Sequence, residues 1–176
     1  MILDKYKANR AILRTGDIIL FRGSDLIDKV IQLADHAYYN HVGIIWKVGE
    51  RFLICDATAG RGINIDWLST RMGQEIDFSI LRINKMQPKI DWALDKALLL
   101  SNEHFGYNYL FILQIAIRNL IGVDLKWLSN KKAYICSMFV REYFKWLKIE
   151  NYDTDTLCTP QDILRYKTED IRYIVK

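Results

Sequence analysis

Cysteine is scarce in this chain of 176 residues, which contains only Cys55, Cys136 and Cys158. No CxxC pair occurs, and no cysteine and histidine stand at the spacing of a zinc finger. An odd number of cysteines without such spacing argues against a disulfide framework and against a structural zinc site. The sequence therefore predicts reduced thiols, no metal centre and no cofactor.

Long apolar segments are also absent. Residues 1–17 carry charges and lack the apolar core of a secretory signal, which predicts a cytoplasmic protein, or one that is phage-encoded or delivered by another route. The most apolar stretch, Tyr109–Gly122, is interrupted by Gln114 and Arg118, and it is too short and too polar to span a bilayer. No transmembrane segment is therefore expected.

Neither positive nor negative charge is concentrated in any one segment. The net charge is +4, and the basic residues are scattered apart from small groups at 5–14 and 126–132. Nucleic-acid binding is not expected, because proteins that bind nucleic acid usually collect basic side chains on one face. With 51% hydrophobic residues, no repeat and no linker, residues 1–176 are expected to form a single domain with a sizeable core.

Hydrophobic periodicity predicts a mixture of short strands and amphipathic helices. Strands show apolar residues in alternation or in short runs bounded by turns, and helices show them three or four positions apart. We predict strands at 18–21, 41–47, 51–58, 60–65, 77–83 and 171–175, helices at 25–35, 90–104, 109–120 and 136–148, and a last helix that begins at Pro160 after the N-cap Thr159. This order is typical of an α+β fold with a small antiparallel sheet packed against helices.

The two clearest strands predict a hairpin that places a histidine beside a carboxylate. If Gly49 and Glu50 form a two-residue turn, Asp56 lies opposite Gly43, and His41 lies diagonally from Asp56 on the same face. A carboxylate there could hold one imidazole nitrogen and leave the other to face a nucleophile. The prediction depends on that turn, because a slip of one residue would put the pair on opposite faces.

Cys136 is a candidate nucleophile. It begins a run with apolar residues on one helical face, so its thiol is expected at a helix N-terminus, where the dipole stabilises a thiolate. The backbone N–H of the same residue is then a candidate donor to an oxyanion. A small buried structural cysteine is the alternative. Cys136, His41 and Asp56 together indicate a catalytic site more specifically than any one of them does. Both interpretations of Cys136, nucleophile and structural cysteine, stay open. Cys55, which alternates with Asp56, is expected to face the core.

Five segments together resemble a known family. In chain order they read GDIILFRG, NHVGII, ICDATAG, YICSMFV and CTPQDIL, within roughly residues 15–165. They resemble the circularly permuted branch of the NlpC-type papain-like fold, which includes YiiX-like and YaeF-like amidase-related proteins and relatives of lecithin retinol acyltransferase. The histidine and the acid precede the cysteine here, as they do in that permuted branch.

This resemblance implies a permuted papain-like fold, in which a small antiparallel sheet or half-barrel packs against helices. It implies that Cys136 is the nucleophile and His41 the base, and that Asp56, at a position where many members carry Glu, orients the histidine. The segment at about 107–132 resembles an apolar helical insertion of some members.

Other residues are weaker candidates for contact with a substrate. His36 precedes the His41 strand in DHAYYNH, and packing is the preferred interpretation of its side chain over a place in the cleft. Tyr38 and Tyr39 follow it and are expected near the same strand end. Tyr134 lies two residues before the candidate nucleophile and could donate to an oxyanion.

Three hypotheses for function follow. The first is a cysteine hydrolase that cleaves an amide bond through an acyl-enzyme, with a small peptide, a cell-wall fragment or an acyl-amide as its substrate, as the resemblance implies. The second is a lipid acyltransferase or deacylase, which the apolar helix at 109–120 motivates, although a core or capping element is the preferred interpretation of that helix. The third is a binding module that kept the fold and lost turnover.

Overall fold

In the computed structural model, the described residues are 2–23, 32, 37–102, 106–107, 114, 117–118, 121–123, 133–149, 159–165 and 170–175. Most of the helices predicted at 25–35 and 109–120, and most of the insertion predicted at 107–132, lie outside the described residues. His36, His104 and Cys158 also lie outside them.

The described part of the chain contains both helices and strands, and β1 to β4 follow one another along the chain. The helices are α1 (Ile2–Asn9), α2 (Leu68–Met72), α3 (Gln87–Asn102), α4 (Cys136–Trp146) and α5 (Pro160–Arg165), and a short 3₁₀ helix (Arg10–Ile12) follows α1. The strands are β1 (Ile18–Arg22), β2 (His41–Val48), β3 (Arg51–Thr58), β4 (Gly62–Trp67), β5 (Asp77–Ile83), β6 (Gly106–Tyr107), β7 (Ala133–Tyr134) and β8 (Ile171–Val175).

Six strands form one antiparallel sheet in the order β4-β3-β2-β1-β5-β8, and β6 pairs with β7 in a separate parallel pair. Short turns join β2 to β3 and β3 to β4, as antiparallel pairing allows, whereas the other neighbouring strands are joined by longer parts of the chain. The predicted α+β class, with an antiparallel sheet packed against helices, is confirmed.

The β2–β3 hairpin has the predicted register. The turn is Gly49-Glu50, and Gly49 has a φ of 58°, in the left-handed region that suits glycine. Gly43 faces Asp56 across the two strands. Side chains at odd positions of β2 and even positions of β3 therefore share a face, and this places His41 and Asp56 on the same side of the sheet.

The sheet has an apolar cluster on each face. On one face the side chains of β1, β2 and β3 pack against α3 and α4, whose buried residues include Phe139, Val140, Tyr143 and Phe144. On the other face they pack against Tyr6 of α1 and against α2. Helix α4 crosses β2 and β3 and begins at Cys136, as predicted from its amphipathic pattern.

Several boundaries differ from the predicted ones. Helix α3 begins at Gln87 rather than Ile90, because a proline in the first helical turn needs no N–H acceptor. Strand β4 begins at Gly62 rather than Gly60, because residues 59–61 form the turn that follows β3. Helices α1 and α2 and the β6–β7 pair were not predicted, since each is short or carries few apolar residues in periodic positions.

A buried ion pair holds the turn before β1 against the sheet. Arg82 donates from Nε to Asp17 Oδ1 at 2.8 Å and from Nη2 to Asp17 Oδ2 at 2.7 Å. The neighbouring Gly16 has a φ of 89°, and a Cβ built on it would lie 2.3 Å from Cγ2 of Ile90. In the turn predicted at 15–17, Asp17 is therefore paired with Arg82, and the close packing against Ile90 leaves room only for a glycine at position 16.

Candidate active site

The start of β2 is held in place by the residue before it. The Asn40 backbone N–H donates to the Phe21 carbonyl at 3.0 Å, and the Asn40 side-chain carbonyl accepts from the Gly23 N–H at 2.8 Å. These bonds tie the beginning of β2 to the end of β1. The His41 ring, one residue later, stacks on Phe21 with ring centroids 6.2 Å apart. The backbone and the imidazole of His41 are therefore positioned by the neighbouring strand.

His41 and Asp56 are in direct contact. His41 Nε2 lies 2.7 Å from Asp56 Oδ2, and the two residues are only 6% and 1% exposed. A buried carboxylate at this distance fixes the imidazole orientation and favours its protonated form. The diagonal relation expected from the hairpin thus brings the two side chains into hydrogen-bonding contact.

The Cys136 thiol reaches the same imidazole from the N-terminus of α4. It lies close enough to His41 for its charge and hydrogen-bonding capacity to raise the pKa of the imidazole. Because Nε2 is engaged by Asp56, Nδ1 is the nitrogen left to face the thiol. Ile135 before it is extended, with a φ of −99° and a ψ of 167°, and its carbonyl accepts the first helical hydrogen bond, from Phe139. The Cys136 N–H lies in the first helical turn, where backbone donors have no acceptor within the helix.

Two negative partners stabilise the charged form of His41. Burial lowers the pKa of His41, but the negative charge of Cys136, the hydrogen bond and charge of Asp56, and the hydrogen bond to Cys136 together raise it from 6.5 to about 10. The surroundings of His41 therefore favour the protonated form of its imidazole.

Asn64 contacts the carboxylate from the next strand, and sequence reasoning missed it. Asn64 lies opposite Asp56 in the β3–β4 pair, and its Nδ2 donates to Asp56 Oδ1 at 3.1 Å and to Thr58 Oγ1 at 2.8 Å. One carboxylate oxygen is thus held by Asn64 and the other by His41. Locating Asn64 requires the register of β4 against β3, which no pattern within one segment provides.

Helix α2 contributes a further charge near the carboxylate. Arg71 Nε lies 4.0 Å from Asp56 Oδ2 and 3.1 Å from Glu75 Oε1. The guanidinium is mostly buried, so its charge is screened less than that of a surface residue. Arg71 therefore brings a positive charge near Asp56 without replacing His41 as its hydrogen-bond partner.

The residues predicted as weaker candidates for substrate contact lie in different surroundings. The Tyr38 hydroxyl donates to Asp77 Oδ2 at 3.0 Å, and the Arg22 guanidinium lies over its ring. Tyr39 is 8% exposed and packs in the core, which leaves it little surface for a substrate. Tyr134 is half-buried on β7. A substrate contact of Tyr38, Tyr39 or Tyr134 stays a prediction, and His36 lies outside the described residues.

Cys55 has the environment of a structural cysteine. It is fully buried in the cluster under α4, as expected from its alternation with Asp56. Burial, with a smaller contribution from the charge of Asp56, strongly raises the pKa of the Cys55 thiol. Its thiol is therefore held in the neutral form, unlike a thiol beside an imidazolium.

Among the described residues, no group of three or more His, Cys, Asp or Glu side chains is placed to hold a metal ion. In the same part of the chain, no helix combines the length and the apolar character needed to cross a membrane.

The fold defines an α+β protein whose six-stranded antiparallel sheet packs against helices on both faces. It is similar to the crystal structure of the metalloprotein YiiX from Escherichia coli O157:H7, with a TM-score of 0.57. The two chains are 17% identical, and the similarity covers 93% of this chain and 97% of that one. No family model and no curated protein matches this chain. At this identity the comparison shows a YiiX-type fold.

Proposed function

We propose that this protein is a cysteine hydrolase that cleaves an amide bond through an acyl-enzyme, with Cys136 as nucleophile, His41 as acid and base, and Asp56 as the carboxylate that orients His41. The observation that carries the proposal is the 2.7 Å contact between His41 Nε2 and Asp56 Oδ2, together with a Cys136 thiol close enough to raise the pKa of His41. A thiolate next to an imidazolium is an activated nucleophile at neutral pH.

In the acylation half of the reaction, the Cys136 sulfur attacks the carbonyl carbon of the amide and forms a C–S bond. The carbonyl oxygen becomes an oxyanion, for which the Cys136 backbone N–H is the proposed donor. The proton on His41 Nδ1 passes to the amide nitrogen, the C–N bond breaks, and an amine leaves. The products of this half are a thioester on Cys136, a neutral imidazole and a free amine.

In the second half, water resolves the thioester. Neutral His41 accepts a proton from water at Nδ1 while the water oxygen bonds to the thioester carbon. The tetrahedral intermediate then collapses, the C–S bond breaks, and an acid is released. Cys136 leaves as the thiolate beside the imidazolium, so both charges of the resting state are restored.

Asp56 takes no proton in this scheme. Its carboxylate holds Nε2–H of His41 and keeps the imidazolium stable, which is the role of the third member in catalytic triads. The resemblance of the five segments to the permuted NlpC-type branch supports a peptide amide, a cell-wall fragment or an acyl-amide as the substrate. The helix that motivated a lipid substrate lies outside the described residues, so no described contact favours that alternative.

YiiX, whose structure is similar, is named a metalloprotein. Among the described residues of this chain, no three or more His, Cys, Asp or Glu side chains are arranged to hold a metal ion. His41 Nε2 and Asp56 Oδ2 are engaged with each other. The proposed reaction uses the thiol and the imidazole.

Alkylation with iodoacetamide tests the nucleophile directly, and the chain offers a matched control. Cys136 and Cys55 are both buried, 2% and 0% exposed, so the His41→Ala variant is needed to separate activation of Cys136 from access to it. In a Cys158→Ser background, we expect Cys136 to react at neutral pH at least about tenfold faster than Cys55, as measured by peptide mass spectrometry.

His41→Ala should slow the labelling of Cys136 and leave that of Cys55 unchanged. Equal rates at the two cysteines in the unmodified chain would overturn the nucleophile assignment. A His41→Ala variant that labels as fast as the parent would remove His41 from the acid–base role. A panel of amides, with mass-spectrometric detection of a thioester that is lost in Cys136→Ser, then tests the acyl-enzyme.

A further inference from the structure

A second cleft lies away from the candidate active site, between α1, α2 and the β3–β4 edge of the sheet. It has a volume of about 370 Å³, a size within the range of small-molecule sites. Its lining residues come from three separate parts of the chain: Leu3, Tyr6, Lys7, Arg10, Arg51, Phe52, Trp67, Ser69 and Thr70. None of Cys136, His41 and Asp56 is among them.

The walls of this cleft are aromatic. Tyr6 and Phe52 are 7% and 6% exposed and belong to the core cluster on that face, so their exposed edges are held rigidly by the packing behind them. Trp67 at the end of β4 is 42% exposed and offers a free ring face. Fixed aromatic surfaces favour a ligand with an apolar or aromatic body, since its burial costs little side-chain entropy.

The charges at the cleft all have one sign. Lys7, Arg10 and Arg51 contribute to the lining, and no Asp or Glu does. Within the described part of the chain, none of these three cations forms an ion pair with a carboxylate. Basic residues elsewhere in that part do, as Arg61 does with Asp66 at 2.6 Å. The cleft is therefore positive without a counter-charge from the described residues.

Two of the cations are fixed in position by neutral partners. The Arg51 guanidinium carbon lies 4.9 Å from the ring centroid of Trp67, and Arg10 donates from Nη2 to the Glu50 carbonyl oxygen. Arg10 also hydrogen-bonds the Tyr6 side chain. Burial raises the pKa of Tyr6 more than Arg10 lowers it, so the Tyr6 hydroxyl stays protonated. A guanidinium held in this way loses less freedom when it binds an anion.

We propose that the cleft is a binding site for a small amphipathic anion, with a carboxylate or phosphate group against Arg10, Arg51 and Lys7 and an apolar body against Tyr6, Phe52 and Trp67. Guanidinium groups bind both anions through paired hydrogen bonds, so the chemistry of the cleft is shared by carboxylates and phosphates. The proposal does not depend on catalysis by Cys136.

Binding of three naphthalene probes of similar size tests the proposal: naphthoate, naphthyl phosphate and the neutral naphthamide. We expect the anions to shift the NMR signals of the Trp67 indole N–H and of the Ser69 and Thr70 amides. Naphthamide should bind at least about tenfold more weakly, because it lacks the charge–charge hydrogen bonds. The comparison of naphthoate with naphthyl phosphate identifies which anion the cleft prefers.

Arg51→Gln and Arg10→Gln should each weaken naphthoate binding by about three- to tenfold. Arg61→Gln is the matched control, since Arg61 is an exposed arginine of the same strand edge that does not line the cleft, and this change should leave binding unaltered. Equal affinity for naphthamide and naphthoate would overturn the proposal, as would equal losses in all three variants. Signal shifts centred on Cys136 instead of Trp67 would also overturn it.

Discussion

The imidazole of His41 and the carboxylate of Asp56 lie on adjacent antiparallel strands and meet at 2.7 Å, although neither residue is directly opposite the other. Their contact is diagonal, and Gly43 occupies the position that faces Asp56. A Cβ on residue 43 would lie only 3.0 Å from the Asp56 Cβ, so a glycine there leaves the carboxylate the room to turn towards His41. The hairpin alone therefore brings His41 and Asp56 together, independently of the thiol on α4.

The charge of Asp56 is expected to control the reactivity of Cys136. Asp56→Asn preserves the shape of the side chain and removes the charge that stabilises the imidazolium. We expect the rate of Cys136 alkylation at neutral pH to fall by about ten- to a hundredfold, the equivalent of one hydrogen bond to a charged group. Asp66→Asn, on the neighbouring strand and paired with exposed Arg61, serves as the control and should change nothing. An unchanged rate in Asp56→Asn would remove Asp56 from the site.

The pH dependence of His41 follows from the sign of its shift. Burial lowers its pKa, but the charge of Cys136 and the charge and hydrogen bond of Asp56 raise it further, to about 10. The imidazolium is therefore present at neutral pH and is lost only as the pH rises through about 10. In ¹⁵N NMR spectra, assigned with His41→Gln, both ring nitrogens of His41 should be protonated at neutral pH.

The protein with alkylated Cys136 is the comparison for the pH titration of His41. It removes the negative charge that contributes most to raising the pKa, while Asp56 remains in place. His41 should then lose its proton at a lower pH than in the unalkylated protein. A His41 that titrates near its ordinary value of 6.5 in the untreated protein would contradict the thiolate–imidazolium pair.

Asn64 is expected to act as a positioning residue through Asp56. Asn64→Ala removes the 3.1 Å hydrogen bond to Asp56 Oδ1, and we expect it to lower the pKa of His41 and to slow Cys136 alkylation by about tenfold. Thr58→Val removes a different acceptor of Asn64 and leaves its bond to Asp56, so it should have a smaller effect on both measurements. If the two variants behave alike, Asn64 supports the hairpin and not the carboxylate.

The hairpin could be predicted from the sequence because strand alternation and a two-residue turn determine the register locally. The position of Cys136 at a helix N-terminus was equally local, since the amphipathic pattern begins there. Asn64 and Arg71 could not be located in the same way. Each requires knowing how a further element, β4 or α2, lies against β3, and no pattern within one segment carries that information.

The aromatic cleft could not be predicted from the sequence either, because it depends on how several separate elements pack together. Its residues belong to α1, the start of β3, the end of β4 and α2, and α1 has only one buried side chain, Tyr6. Tertiary packing, and not helical periodicity, therefore determines where α1 lies. Boundaries were also displaced at turns, as at residues 59–61 before β4.

Gly16 is expected to be essential for stability. Its φ of 89° is unfavourable for a residue with a side chain, and a Cβ there would come within 2.3 Å of Ile90 and 3.0 Å of the Tyr143 hydroxyl. We expect Gly16→Ala to reduce the free energy of unfolding by about 2 to 4 kcal/mol, from backbone strain and overpacking together. Gly60→Ala is the matched control, because Gly60 has a φ of 78° with no atom within 4 Å of its Cβ position, and it should cost only about 1 kcal/mol. Urea denaturation of both variants measures the difference, and equal losses would show that the contact with Ile90 does not restrict the turn.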